Sequence, residues 1–144
     1  MIWFYTICNH RSRYREKITA YGISLGKAWG AEITAIHVIE PGHALPDGGA
    51  EAKGQAREEE SRRQAEDLLN KIDILAKKEG VNIKKEALEE SDIVGKAIID
   101  YAKKNNVDVI VIGTRSMTAV QEYFFGSVAN KVIHHAHCPV FAIR

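Results

Sequence analysis

Residues 107–127 read VDVIVIGTRSMTAVQEYFFGS. Val107-Asp108-Val109-Ile110-Val111-Ile112 is the most strand-like segment of the chain, dense in β-branched residues as a strand buried on both faces requires. Ser127 to Ala136 reads as a helix. A buried strand, a small-residue loop and a helix start together make an anion site, because the first backbone N–H groups of the helix are unpaired and its dipole is positive there. Glycine allows a phosphate to approach the backbone and lets a loop adopt positive φ. Gly113 is therefore expected to end the strand and Gly126 to open the helix, with the Ser127 hydroxyl beside it as a donor.

Working outward, the same alternation of strand and helix recurs. Ile2 to Ile7 is short, aromatic and β-branched, and reads as a strand. Asn9-His10-Arg11-Ser12 follows as a turn, with Ser12 as N-cap of a helix from about Arg13 to Trp29. Ile18, Gly22, Leu25 and Trp29 recur at helical spacing, and Gly30 is placed as the residue that ends the helix. Ala31 to Ile39 is a second strand, followed by a Pro- and Gly-rich loop to Ala50. Glu51 to Glu79 is a long helix with a charged first half, REEESRRQAED, and an apolar stripe of Ala65, Leu68, Leu69, Ile72, Leu75 and Ala76. Gly80 stops it. Val81 to Leu88 carries charges and reads as an edge strand. Ser91 is expected to cap the next helix, which buries Val94, Ala97, Ile98, Tyr101 and Ala102 and ends at Asn105-Asn106. Pro139 to Ile143 is the last strand.

Strict alternation predicts an α/β fold with a mostly parallel sheet and helices on both faces. In such sheets ligands bind beyond the carboxyl ends of the strands, where the strand order reverses. The segments 8–10, 38–40 and 113 onward are expected to meet there.

The chain has 144 residues, 45% of them hydrophobic and 27% charged, which suits one domain over 1–144. A formal net charge of +1 gives no global attraction to nucleic acid or membrane. Two distant cysteines, Cys8 and Cys138, make no disulfide framework and fit a reducing compartment. The first eight residues lack a basic start, and no apolar run reaches the ~20 residues of a membrane span. A soluble, cytoplasmic protein is expected.

The chain resembles the universal stress protein family, of the adenine-nucleotide-binding α-hydrolase-like superfamily, over essentially its whole length. Nucleotide-binding members of that family carry G-x2-G-x9-G-[ST] after the fourth strand. Here Gly113, Ser116, Gly126 and Ser127 keep the spacing, with serine for one glycine. The stretches 30–41, GAEITAIHVIEP, and 128–144, VANKVIHHAHCPVFAIR, are also similar to the family's second strand and last helix and strand. Asn9-His10-Arg11-Ser12 stands where the family usually has T-D-G-S, so His10 replaces an aspartate that helps hold adenosine.

The resemblance implies a Rossmann-like three-layer sandwich with a five-stranded parallel sheet of order 3-2-1-4-5. It implies that the backbone of Val38 reads the adenine edge, that Cys8, Asn9 and His10 flank adenine and ribose, and that Gly113, Ser116, Gly126, Ser127 and Val128 cradle ribose and phosphates. The cofactor is then ATP or another adenine nucleotide, with Mg²⁺ held mainly by phosphate oxygens and water if a triphosphate binds. Family members also dimerise through the last strand, and the apolar edge Pro139–Ile143 fits a homodimer. Two functional readings stay open: a nucleotide-binding regulatory protein of the stress response, and a dimeric interaction module that has lost nucleotide through His10 and Ser116.

Other features favour plainer explanations. Gly22-x3-Gly26-Lys27-Ala28 is one residue short of a P-loop, lacks its Ser/Thr and falls inside a helix, where close packing accounts for the glycines. His134, His135 and His137 beside Cys138 lack a second ligand pair, and imidazoles suit a helix C-terminus. Arg11, Arg13 and Arg15 sit at the unfavourable end of the first helix dipole unless an anion faces them; a solvated face is the simpler reading. No nucleophile–base–acid set is visible, so a dedicated enzyme is not expected, beyond at most slow ATP hydrolysis.

Overall fold

The computed structural model describes the backbone of residues 2–5, 12–39, 50–89, 93–114 and 126–144, and the side chains of residues 15–39, 54–89, 93–114 and 126–144. In chain order the elements are β1 (Ile2–Tyr5), α1 (Ser12–Trp29), β2 (Ile33–Ile39), α2 (Ala50–Lys78), β3 (Ile83–Glu89), α3 (Val94–Lys104), β4 (Val109–Gly113), α4 (Ser127–His135) and β5 (Val140–Ile143). All strand pairs are parallel, and the sheet runs β3-β2-β1-β4-β5. The chain winds outward from β1 to β3, then crosses to the far side of β1. The reversal falls between β1 and β4, where Tyr5 lies level with Ile112.

Burial follows strand position. β2 and β4 are almost wholly buried, whereas β3 and β5 at the edges alternate with exposed residues. Successive residues of a strand face opposite sides. Ile36, Val38, Ile110 and Ile112 therefore meet α3 and α4 in one cluster with Ala97, Ile98, Ala129 and Val132. Ile33 and Val111 meet Ile18 of α1 on the opposite face, and Ala35 meets Leu68, Leu69 and Ile72 of α2.

Three helices end alike. Gly30, Gly80 and Asn106 take left-handed φ of 60°, 72° and 52°. The next residue donates back to a carbonyl inside the helix: Ala31 to Gly26, Val81 to Ala76 and Val107 to Ala102, at 2.9, 2.9 and 3.0 Å. These are Schellman closures, which satisfy orphan carbonyls and turn the chain toward the next strand. Val107 is thus used to close α3, so β4 starts two residues later than the sequence pattern indicates.

Several sequence expectations need correction. Ser91 is not the cap of α3: Ile93 occupies that position with extended φ −137° and ψ 106° and no side-chain cap bond. Its carbonyl accepts from Lys96 and Ala97, so the first turn starts two residues later than a cap at the serine would give. Leu75 and Trp29 continue their helical stripes on paper but are exposed, Trp29 at 52%. Trp29, the last residue of α1, rests its ring against the exposed Phe141 of β5, 5.8 Å between centroids. The glycine-rich stretch 22–26 is indeed helix interior. A Cβ on Gly26 would come within 2.3 Å of Ile33 Cδ1, so α1 packs closely on β2 at this glycine and an added methyl would have to displace the Ile33 side chain.

Candidate functional site

The β4–α4 connection is held at both ends. Thr114, the residue after β4, is buried. Its N–H and its Oγ1 both donate to the carbonyl of Ile143 at the end of β5, at 3.0 and 3.2 Å. Its own carbonyl accepts from the N–H of Gly126 at 2.9 Å. One threonine therefore ties the ends of β4 and β5 to the start of α4, and residues 115–125 span from this tie. α4 begins there with Gly126 as its N-cap, at φ −56° and ψ 154°, and no side chain caps it. Helix geometry leaves the amides of Ser127 and Val128 for a ligand or water. Ser127 itself is exposed.

The glycines that flank this connection are not there for positive φ. Among the described residues only Gly30, Gly80 and Asn106 have it. At Gly113 the constraint is space: a Cβ would stand 2.3 Å from Ile18 Cδ1, so glycine lets α1 pack directly on the end of β4.

Val38 lies near the carboxyl end of β2, level with Leu88 of β3, its side chain buried against α3 and α4. Gly113, Gly126, Ser127 and Val128 gather at the β4–α4 junction. Cys8, Asn9, His10 and Ser116 lie outside the described residues, as do Arg11 and the capping candidate Ser91.

The opposite face of the sheet carries a polar pair near this same edge. His37, next to Val38, faces the side of α1 and α2. Its Nδ1 is buried with no hydrogen-bond partner, as is Nε of Arg15 in the first turns of α1. Burial holds the imidazole below its usual pKa, and the Arg15 charge lowers it further. The imidazole is therefore neutral at pH 7. Buried polar atoms are normally paired, so two orphans on adjoining elements mark this corner as unusual. Sequence reading considered Arg15 only as part of a surface cluster and passed over His37 and Thr114. A histidine inside the aliphatic run ITAIHVI was the available signal for the first; nothing in the sequence singled out Thr114.

The histidine-rich C-terminus of α4 is exposed, with the His134 and His135 rings 6.5 Å apart and inclined by 58°. Among the described residues no three His, Cys, Asp or Glu side chains group as metal ligands. Burial pushes the Cys138 thiol up, and the charge of Asp108 adds to the shift, so thiolate is disfavoured. No described helix is long and apolar enough to cross a membrane.

The chain belongs to the universal stress protein family, whose model matches residues 10–144. It is 33% identical over 126 residues to universal stress protein MJ0531 of Methanocaldococcus jannaschii, covering 86% of this chain and 71% of that one. The fold is similar to that of universal stress protein UspA from Lactobacillus plantarum, with a TM-score of 0.82 at 20% identity over 99% and 97% of the two chains. It is also similar to a universal stress protein from Archaeoglobus fulgidus solved in complex with dAMP, with a TM-score of 0.72 at 24% identity over 100% and 98%. Two further solved universal stress proteins of this fold hold cAMP or AMP.

Proposed function

We propose that this protein binds an adenine nucleotide at the carboxyl edge of the sheet and acts as a regulatory protein of the stress response. The observation that carries the reading is the Thr114 tie. It fixes an uncapped helix start, with Gly113, Gly126 and Ser127 at the family's spacing, beside the point where strand order reverses. That is where open α/β sheets take ligands. The dAMP, cAMP and AMP complexes of proteins with this fold support an adenine ligand.

In this reading the amides of Ser127 and Val128 and the Ser127 hydroxyl receive the phosphate, and the backbone of Val38 meets the adenine edge. Cys8, Asn9, His10 and Ser116 complete the contacts. The ligand is ATP or a related adenine nucleotide, and Mg²⁺ accompanies a triphosphate. The protein works as a homodimer through Pro139–Ile143. Support for this comes from β5, which is paired on one side only and exposes Phe141 next to the exposed Trp29. Val140→Lys is expected to shift the mass measured by light scattering toward monomer; an unchanged mass removes this interface.

Calorimetric titration of nucleotide-stripped protein with ATP and Mg²⁺, and with AMP, tests the ligand. Micromolar binding at one site per chain, absent with GTP, is expected. No heat and no thermal stabilisation at millimolar nucleotide would transfer the protein to the nucleotide-free interaction module. His10→Asp, which restores the family residue, would then be expected to create binding.

A further inference from the structure

β5 pairs with β4 alone, in a register that runs from Ile110↔Val140 to Gly113↔Ile143. At one end of this pairing the N–H of Ile110 donates to the carbonyl of Pro139 at 3.0 Å. At the other end stands Thr114, which gives both its N–H and its Oγ1 to the carbonyl of Ile143. The carbonyl of Thr114 turns the other way and accepts from Gly126, the N-cap of α4. The Gly126 carbonyl in turn accepts from Asn130 at 2.9 Å. Ile143, Thr114, Gly126 and Asn130 thus form one line of hydrogen bonds from the edge strand into the first turn of α4. Thr114 is 4% exposed, so water competes little for its bonds. Packing follows the same route: Val140 of β5 and Val128 of α4 lie against one buried cluster.

We propose, resting on the nucleotide site and the β5 homodimer read above, that Thr114 is a positioning residue that couples the two. Adenine nucleotide tightens the homodimer, and the homodimer binds nucleotide more tightly than the monomer does. Thr114 acts through Ile143 on one side and Gly126 on the other.

The physical basis is shared ordering. A four-residue strand paired on one side is an element that opens locally at little cost. A second copy on the outer side of β5 holds Ile143 in place, and Thr114 passes that constraint to Gly126. A phosphate on the amides of Ser127 and Val128 holds the same line from its other end. Whichever binds first leaves less to be ordered by the second, so each strengthens the other. Linkage makes the two effects equal in size.

Sedimentation velocity on the whole chain measures the dimer dissociation constant with and without saturating AMP, and again with ATP and Mg²⁺. Nucleotide is expected to tighten the dimer about tenfold. Thr114→Val deletes the hydroxyl and keeps the backbone bonds; the tightening is expected to fall below about threefold. Thr114→Ser keeps the hydroxyl and is expected to keep the effect. Equilibrium dialysis at protein concentrations where the chain is monomeric separates coupling from damage. There Thr114→Val is expected to bind nucleotide as the unaltered chain does, whereas a merely structural threonine would weaken binding there too. Nucleotide is also expected to slow hydrogen exchange at the Thr114 amide of the unaltered chain, a readout that stands even where circular dichroism shows Thr114→Val to be unfolded. An unchanged or weakened dimer, full tightening in Thr114→Val, an indifferent Thr114 amide, or a chain that is monomeric at every concentration overturns the coupling. Any of these with nucleotide bound leaves the nucleotide site in place. No binding of either nucleotide overturns both.

Discussion

The two faces of the sheet are built differently. Under α3 and α4 the apolar residues form one continuous cluster, from Ile36 and Val38 through Ile110 and Ile112 to Val132. Under α1 and α2 they form two smaller ones, around Ile18 and around Leu69. Both orphaned polar atoms of the described residues, on Arg15 and His37, belong to this second face. Continuity is what a scaffold needs: it fixes α4, and with it the start of the β4–α4 connection. The divided face places polar groups near the carboxyl edge of the sheet, where a protein stabilised elsewhere tolerates unmet hydrogen-bonding capacity.

The contrast can be broken first by cavities. Ile112 is fully buried within the continuous cluster and Leu69 is 4% exposed in a small one. Large-to-small changes at such sites cost about 2–5 kcal/mol, with the larger values where neighbours cannot close the gap. Ile112→Ala is expected to lose more stability than Leu69→Ala in urea unfolding. Equal losses would mean that the two faces are equally constrained.

Next comes the seam where α1 meets β4. Gly113→Ala sets a methyl against Ile18 and is expected to cost about 1–3 kcal/mol, the usual range for overpacking. Ile18→Val removes Cδ1 and should recover part of that loss when combined with it. A double-mutant cycle in urea checks the coupling; strict additivity would show that the contact at Ile18 is not the constraint.

The smallest effect concerns acid. The His37 pKa is lowered in the folded state from 6.5, so below that value the unfolded chain takes up the proton first. This site contributes no penalty well above pH 6.5, and it destabilises the fold increasingly as pH falls below 6.5 until the folded imidazole also titrates. His37→Leu should remove that part of the acid sensitivity and, by deleting an orphaned atom, gain on the order of 1 kcal/mol near neutrality. Arg15→Met should lessen the acid sensitivity while leaving His37 in place. Thermal melts between pH 7.5 and 5.5 measure both; an unchanged pH slope in His37→Leu would contradict the assignment.

Much of the α/β pattern could be read from the sequence, because strand runs, helical stripes and the turn residues Gly30 and Gly80 are local signals. Each agrees with its neighbours, as φ of 60° and 72° at the two glycines shows. The misses have tertiary causes. Leu75 and Trp29 fit their helical stripes, but nothing in the sequence says where the sheet stops. Ser91 has cap chemistry, yet α3 starts on Ile93 without a side-chain cap. Gly113 was expected for backbone freedom and is required for space. In the candidate site, Gly113, Gly126 and Ser127 stood out as small residues between a buried strand and a helix start, and their spacing matched the family pattern. Thr114 did not, because its role depends on Ile143, 29 residues away.

The most direct test of the central claim is amide NMR of the stripped protein during titration with AMP. Resonances of Gly126, Ser127 and Val128 are expected to shift together and saturate, while those of Gly30 and Gly80 at the opposite edge stay in place. Saturating AMP with no change at residues 126–128 would contradict a nucleotide site at the start of α4.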